Sequence, residues 1–550
     1  MTAGVSHVLR LAAALAALNF AFTFENVWPT LWVQPQLLVS VEAALVVLAL
    51  ALYARAFGAP GPRHVAIFAV ACTALAVGRY ADVTVPALFG RPINLYWDGR
   101  QLPAVLSLAA DGRAAASVAA GAGAVAAVVA LVYLGLRWTV RVIADGAATV
   151  RTRRGLALAA GGLAAAFVAS EALDAGRLFA APVSATYAKQ ARFVADALSD
   201  TAADERLGPS PAFASNLRRL DGADVLVVFL ESYGAATFDR PDYARALDAH
   251  RAALAAAARG SGRRIVSAFV RSPTFGGASW LAHASLLAGV DVGDAKRHDL
   301  LLTTRRPTLV RHFRDHGYDA LALMPGLRAD WPEGAFYGFD AILDSRALAY
   351  TGPQFGFWRI PDQYALARLD ATALHAHARR PAFVFFPTIT SHIPFQPLPP
   401  YQPDWARLLG DEPFDREGVA RSTAIPDWDR LAPAYVATIG YAYDWLTGYL
   451  RRSSAARDYV LVVVGDHQPV GAVAGERAPW EVPVHVIARR AQIVDALVAA
   501  GFRPGVAPAR PALGAMHDLT RVLLDAFDEP PPLQLAGESA RAGAPRVDVP

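Results

Sequence analysis

The chain has 550 residues, 54% of them hydrophobic, with a mean hydropathy of +0.28. That length is too great for one core, and so apolar a composition points to membrane spans rather than to a wholly soluble protein. A formal net charge of +4 leaves no basic footprint for nucleic acid, and the single cysteine, Cys72, excludes any intramolecular disulfide.

The long uncharged runs fall before about residue 180. They predict spans at 8–25, 36–56, 65–85, 114–136 and 155–173, each near the ~20 residues a bilayer requires. The first is expected to be a span and not a cleaved leader, because no small-residue cleavage site precedes ENVWPTLWV and more spans follow. Arg137, Arg141, Arg151, Arg153 and Arg154 follow the fourth span, whereas Glu25–Gln36 carries no basic residue. The positive-inside rule then places the N-terminus in the cytoplasm and everything after about residue 175 outside it. The loop RPINLYWDGRQLP (91–103) reads either as an interfacial aromatic belt or as a contact for a lipid substrate. The expected organisation is a transmembrane domain over 1–178, a juxtamembrane helix and linker over 179–222, a catalytic domain over 223–530 and a Pro/Ala-rich tail over 531–550.

From Asp224 onward, short β-branched runs alternate with amphipathic helical segments. Strands are expected at VLVVFL (225–230), RIVSAFV (264–270), DALALM (319–324), AFVFFP (382–387), YVLVVVG (459–465) and PVHVIA (483–488). PTLVRHFRDHG (307–317) has helical period and ends at Gly317, and YVATIGYAYDWLTGYLRR (435–452) reads as a helix before a strand. Apolar strands alternating with helices predict an α/β sandwich with a mostly parallel sheet. Ligands of such sheets bind beyond the carboxyl ends of the strands, which selects the residues to inspect.

VLVVFL runs into Glu231, which is either a neighbour of a helix cap or a ligand. YVLVVVG runs into Asp466-His467, a carboxylate and an imidazole at one crevice; that pair suits Zn²⁺ or Mn²⁺ better than Ca²⁺ or Mg²⁺. His392, in TSHIPF beyond AFVFFP, is a candidate for substrate binding or acid/base work. In TFGGASWLAHASLLAG (274–289), the Gly-Gly pair allows a tight turn, Ser279 is a good N-cap and Gly289 terminates a helix too short to cross a bilayer. A serine at the positive end of a helix dipole is an ordinary cap unless a divalent metal stands near it, in which case it becomes a nucleophile. His283, at i+4, either reaches a substrate phosphate or packs in the core.

Glu231 after a strand, Ser279 opening a short helix and Asp466-His467 after a late strand together resemble the alkaline phosphatase/sulfatase superfamily. The nearer likeness is to its membrane-anchored phosphotransferases: lipoteichoic acid synthases, phosphoglycerol transferases and phosphoethanolamine transferases. In SWLAHASLLAG the nucleophile lies ten residues before the closing glycine, as in the sulfatase signature, and HFRDHGYDALALMPG looks like the unit that follows it. The resemblance covers about 220–530 and implies an α-helical membrane domain of about five spans followed by an alkaline-phosphatase-like α/β sandwich. It further implies that Glu231, Ser279, Asp466 and His467 hold one divalent metal, Mn²⁺ or Zn²⁺ with Mg²⁺ as a further candidate. Ser279 would be the nucleophile and His392 a substrate-binding and catalytic histidine.

Two departures stand out: serine replaces the branch's usual threonine, and Glu231-Ser232 replaces the adjacent aspartates of sulfatases. No C-x-P-x-R or S-x-P-x-R stretch is present, which argues against a formylglycine sulfatase. The phosphoethanolamine transferases that the chain resembles typically carry several disulfides in their outer domain and this chain can have none, so the resemblance implies a phosphoglycerol-type or related head group. Arg328, Asp330 and Trp331 in GLRADWPEG, with Phe357-Trp358-Arg359, are candidates for the head-group pocket, or form a plain surface loop. The expected activity moves a phospho-head group from a membrane phospholipid through phospho-Ser279 to a glycan or glycolipid of the cell envelope, at the bacterial cytoplasmic membrane with the catalytic domain outside. Phosphoethanolamine transfer and a phosphodiesterase or sulfatase-like hydrolysis are the alternatives, and a metal-free scaffold is the non-enzymatic one.

Overall fold

The computed structural model of the chain describes residues 2–28, 30–89, 92–93, 95, 115–173, 178–198, 207–328, 331–355, 360–375, 379–422, 427–428, 430–452 and 458–529. The loop 91–103 and the tail 531–550 thus lie almost wholly outside the described residues.

The N-terminal part consists of α1 (Thr2–Thr23), α2 (Val41–Phe57), α3 (Pro62–Phe89), α4 (Ala115–Ala148) and α5 (Val150–Leu173). Four windows, Val5–Thr23, Pro62–Leu88, Ala119–Ala148 and Val150–Leu173, are long and apolar enough to cross a membrane. The fifth helix, α2, has 17 residues, about 25 Å at the α-helical rise and so shorter than a hydrocarbon core of about 30 Å. It lies along α5 and α4. Its start is polar: the Ser40 hydroxyl accepts from the Ala43 amide at 3.1 Å, and buried Glu42 accepts from both the amide and the hydroxyl of Ser184 at 3.1 Å. These bonds tie the bundle to α6 (Val183–Leu198), the helix expected beside the membrane. The fourth span differs from expectation at its end. Helix continues through Ala148, so Arg137 and Arg141 project from α4 itself and not from a loop.

The C-terminal part is built on β1 (Asp224–Leu230), α7 (Pro241–Gly260), β2 (Arg264–Arg271), α8 (Ser279–Ala288), α9 (Ala295–Thr303), α10 (Leu309–Asp315), β3 (Asp319–Leu323), β4 (Ala341–Leu343), α11 (Asp362–Thr372), β5 (Ala382–Pro387), α12 (Leu431–Arg452), β6 (Tyr459–Gly465), β7 (Glu481–Ala488), α13 (Ala491–Ala499), β8 (Arg503–Pro504) and α14 (Asp518–Phe527). The eight strands form one sheet in the order β8-β2-β7-β6-β1-β5-β3-β4. Only the pairings that involve β7 and β8 are antiparallel; β6, β1, β5, β3 and β4 run parallel side by side.

Every residue of β1 and β6 is buried, because helices cover both faces of the sheet. Side chains alternate along β1, so Val225, Val227 and Phe229 join the core beneath α8 and α14, while Leu226, Val228 and Leu230 join the core beneath α7 and α12. Strands β4 and β8, of three and two residues, were not expected from the sequence.

Candidate active site

The parallel centre of the sheet sends β1, β6 and β5 out at one edge, and their following loops meet there. Glu231 follows β1, Asp466 and His467 follow β6, and the 388–392 segment follows β5. The crossing from β1 to the next turn is unusually close. A Cβ at Gly465, the last residue of β6, would stand 1.9 Å from the Tyr233 carbonyl oxygen, so only glycine fits. Ser232 takes a left-handed φ of 56°, which turns its hydroxyl onto Glu231 Oε1 at 2.8 Å and its amide onto Asp466 Oδ1 at 2.8 Å. The His467 amide donates to the same Asp466 oxygen at 2.7 Å.

Ser279 arrives from α8. Gly276, Gly277 and Ala278 all have positive φ, of 65°, 143° and 60°, and the Gly276 amide donates to the Gln468 carbonyl at 3.1 Å, clamping this turn to the Asp466-His467 loop. A non-glycine residue in the left-handed region costs on the order of 1 kcal/mol, so Ala278 is a locally strained residue at the site. It also corrects the sequence expectation: Ala278 occupies the N-cap and makes no side-chain cap, while Ser279 is the first residue of the helix. The serine side chain is thereby released from capping. Its hydroxyl lies 3.1 Å from Glu231 Oε2 and 3.1 Å from His467 Nε2.

Ligand atoms of Glu231, Asp466 and His467 fall within 4.8 Å of one another, and all three residues are buried. Burial resists ionisation of Glu231, but attraction to His467 and His392 and hydrogen bonds from Asp466 and Ser232 prevail and hold its carboxyl at about 2. Burial and the adjacent Glu231 charge push Asp466 well above the ordinary carboxylate range. Two buried carboxylates therefore compete for one negative charge with no Arg or Lys among the groups acting on Glu231. His467 is depressed by burial, and its Nδ1 donates to the Gln468 carbonyl at 2.7 Å, which leaves Nε2 as an acceptor towards Ser279. Two hard oxygens and a neutral imidazole nitrogen suit a divalent cation of the Zn²⁺ or Mn²⁺ kind.

His392 is partly buried, and its Nδ1 donates to the Ile393 carbonyl at 2.7 Å. It stands near enough for its charge to act on both Glu231 and His467. Its loop is held by residues that carry no visible signal in the sequence. The Ser391 hydroxyl donates to the Glu231 carbonyl at 2.6 Å, the Glu231 amide donates to Thr388 Oγ1 at 3.0 Å, and the amides of Ile389 and Thr390 donate to the two Asp362 oxygens at 2.9 Å each. Asp362 is fully buried at the start of α11, and burial pushes its carboxyl up to about 6.

Below Ser279 lies a cavity of about 460 Å³ whose wall includes Trp280, His283, Trp331, Glu333, Tyr337 and Phe385. The His283 ring stands edge-on to Phe229 and Phe385, with centroids 4.5 and 5.3 Å apart, and burial lowers its pKa to about 3. Burial thus favours the neutral form of this ring, which forms part of the cavity wall. Trp331 stacks on Tyr337 at 5.7 Å. Arg328 is exposed and outside this wall, whereas Asp330 and Phe357-Trp358-Arg359 lie outside the described residues.

No protein-family model matches the sequence, and no curated protein does. Among solved structures the chain is similar to the lipoteichoic acid synthase LtaP from Listeria monocytogenes, at 14% identity over 56% of this chain and 75% of that one, with a TM-score of 0.35. It is similar to the C-terminal periplasmic domain of the phosphoethanolamine transferase EptC from Campylobacter jejuni, at 11% identity over 56% of this chain and 94% of that one, with a TM-score of 0.35. A protein in the alkaline phosphatase superfamily from Vibrio parahaemolyticus is similar at 15% identity over 60% of this chain and 72% of that one, with a TM-score of 0.34.

Proposed function

We propose that this chain is a membrane-anchored, metal-dependent phosphotransferase, with a transmembrane domain over 1–178 and an extracytoplasmic catalytic domain over 223–530. It moves a phospho-head group from a membrane phospholipid through phospho-Ser279 to a hydroxyl of a glycan or glycolipid. The observation that carries the reading is the Ser279 hydroxyl at 3.1 Å from both Glu231 Oε2 and His467 Nε2, at the mouth of a buried carboxylate pair.

Glu231, Asp466, His467 and Ser279 would hold one divalent cation, which supplies positive charge that lowers the serine pKa and offsets charge on the phosphoryl oxygens. The α8 amides add partial positive charge at the same oxygen. Ser279 then attacks phosphorus, the proton passes to His392, since Glu231 and His467 would be engaged on the cation, and the bond to the diacylglycerol oxygen breaks. His392 binds the phosphoryl group and returns a proton to the leaving oxygen. In the second half an acceptor hydroxyl attacks the phospho-serine and Ser279 leaves. Water in place of that acceptor would make the chain a hydrolase, so product formation that depends on acceptor concentration separates the two.

Phosphoglycerol is the head group favoured by the chain's lack of disulfides. The cavity below Ser279 favours a second reading: among the described residues Glu333 and Asp299 are its charged lining, Trp280, Trp331 and Tyr337 are aromatic, and no Arg or Lys lines it. Carboxylates with aromatic faces suit an ammonium group, and hence phosphoethanolamine. Intact-mass spectrometry of the protein incubated with each lipid tests both. A phosphoglycerol or phosphoethanolamine increment confined to Ser279 is expected, and its absence with both lipids overturns the proposal.

A further inference from the structure

A second cavity, also of about 460 Å³, lies on the other face of the sheet from α8. Its walls come from α7 (His250), α12 (Tyr441, Asp444) and the 396–401 stretch QPLPPY (Gln396, Pro400, Tyr401). That stretch continues directly from the His392 loop. Gln396 follows His392 by four residues, so the two Cα atoms are at most about 14 Å apart.

The lining has a definite chemical character. His250 Nδ1 donates to Asp444 Oδ1 at 2.7 Å, which fixes the carboxylate as an acceptor edge. The His250 ring packs closely on α12 at Gly440, where a Cβ would stand 3.1 Å from His250 Nε2. Tyr441 is 4% exposed, and its buried hydroxyl makes no hydrogen bond of standard geometry among the described residues. Gln396 brings an amide that both donates and accepts. The proline and tyrosine rings supply flat apolar faces between these polar groups. Among the described residues no Arg or Lys lines the cavity, and ring faces alternate there with paired donors and acceptors, a lining that fits a neutral polar ligand.

The geometry points to a carbohydrate subsite: the cavity binds a neutral oligosaccharide, whose hydroxyl pairs meet Asp444, Gln396 and Tyr441 while its sugar faces lie on Tyr401 and Pro400. It rests on the transferase reading for its purpose, which is to hold the body of the glycan acceptor with one end directed to His392 and phospho-Ser279. Its size is in the range that small-molecule sites occupy.

The test is a binding titration of the full-length protein in detergent against neutral tri- to hexasaccharides of glucose, galactose and mannose, followed by calorimetry or saturation-transfer NMR. At least one series is expected to bind. Asp444→Asn and Tyr401→Ala are expected to weaken it at least tenfold, Gly440→Val to abolish it by displacing His250, and Tyr441→Phe to weaken it severalfold while leaving the melting temperature unchanged. No binding by any series at millimolar concentration overturns the subsite, as does equal binding by wild type, Asp444→Asn and Tyr441→Phe. Loading of Ser279 from lipid is read separately by intact mass. It is expected to be unaltered in the four variants while the acceptor KM rises. A wild-type protein that binds sugar but never loads Ser279 would refute the transferase reading and leave the subsite standing.

Discussion

The two ends of β1 each carry a buried carboxylate, and they are handled in opposite ways. At the N-terminal end, Asp224 is 3% exposed and meets the Arg379 guanidinium at 2.8 and 2.6 Å, with the Ala382 amide at 2.8 Å. Its charge has a fixed counter-charge and a backbone donor. At the C-terminal end, seven residues on, Glu231 is 7% exposed; among the described residues it is met by His467, His392, Asp466 and the Ser232 and Ser279 hydroxyls, with no Arg or Lys among the groups that act on it most. A buried charge that is fully paired stabilises one structure, whereas one left without a fixed partner at a strand end is a place for something exchangeable. On the proposed function, the difference between the two carboxylates is thus a difference in who neutralises them.

That contrast can be broken by substitution. The largest expected effect is at the Glu231 end: Ser279→Ala should lower transfer by at least about a thousandfold, with metal content by elemental analysis and the melting temperature nearly unchanged. Residual turnover near wild type would remove the serine from the mechanism. Next, Asp224→Ala should cost about 3 kcal/mol in denaturant unfolding, because it strands the Arg379 charge, while the protein that remains folded keeps its metal and its activity. Glu231→Gln should do the reverse, losing metal and activity, while the chelator-treated protein is destabilised by less than Asp224→Ala destabilises it, since the amide keeps the side chain's size and can still accept from Ser232. Equal effects from the two substitutions would erase the distinction.

A smaller effect concerns acid. Burial holds His485 at about 3, within a bonded chain in which its Nδ1 faces Ser267 Oγ at 2.7 Å and its Nε2 faces the Tyr233 hydroxyl at 2.9 Å. The unfolded chain takes up this proton at about 6.5 and the folded one only at about 3, so the unfolded state binds more protons between those values. Stability from this group is full above about 6.5 and falls as pH drops towards 3, by up to about 1.4 kcal/mol per pH unit. Urea unfolding across that window should show the slope, and His485→Gln should flatten it.

How much of this was legible in the sequence differs by kind of feature. Runs such as YVLVVVG and AFVFFP were readable to within a residue, because a strand covered on both faces must be apolar throughout. Ala341–Leu343 and Arg503–Pro504 were not, since two or three residues at the sheet's edges carry no periodicity. The strand-end rule led to Glu231, Asp466 and His467 without knowledge of the fold, and the structure brings their ligand atoms together. Ala278 was invisible as a cap because nothing marks an alanine for the left-handed region; only its tethering through Gly276 to Gln468 does. Asp362 was invisible for a different reason: its two hydrogen bonds reach residues 27 and 28 positions away.

The short helical turn Gly471–Ala474, a few residues beyond Asp466-His467, lies against α3, one of the helices apolar and long enough to span a bilayer. With α3 in a membrane, this contact works as a ruler. Under the proposed function, Ser279 would keep one altitude above the lipid surface and patrol only in two dimensions, so a lipid donor would find it by lateral diffusion. Acceptors would instead have to come down to that height, and chain ends that stand farther from the membrane would fall outside its reach. Lengthening α3 by a turn would raise the site by about 5 Å, which makes the depth of modification along an acceptor an adjustable property of one transmembrane helix.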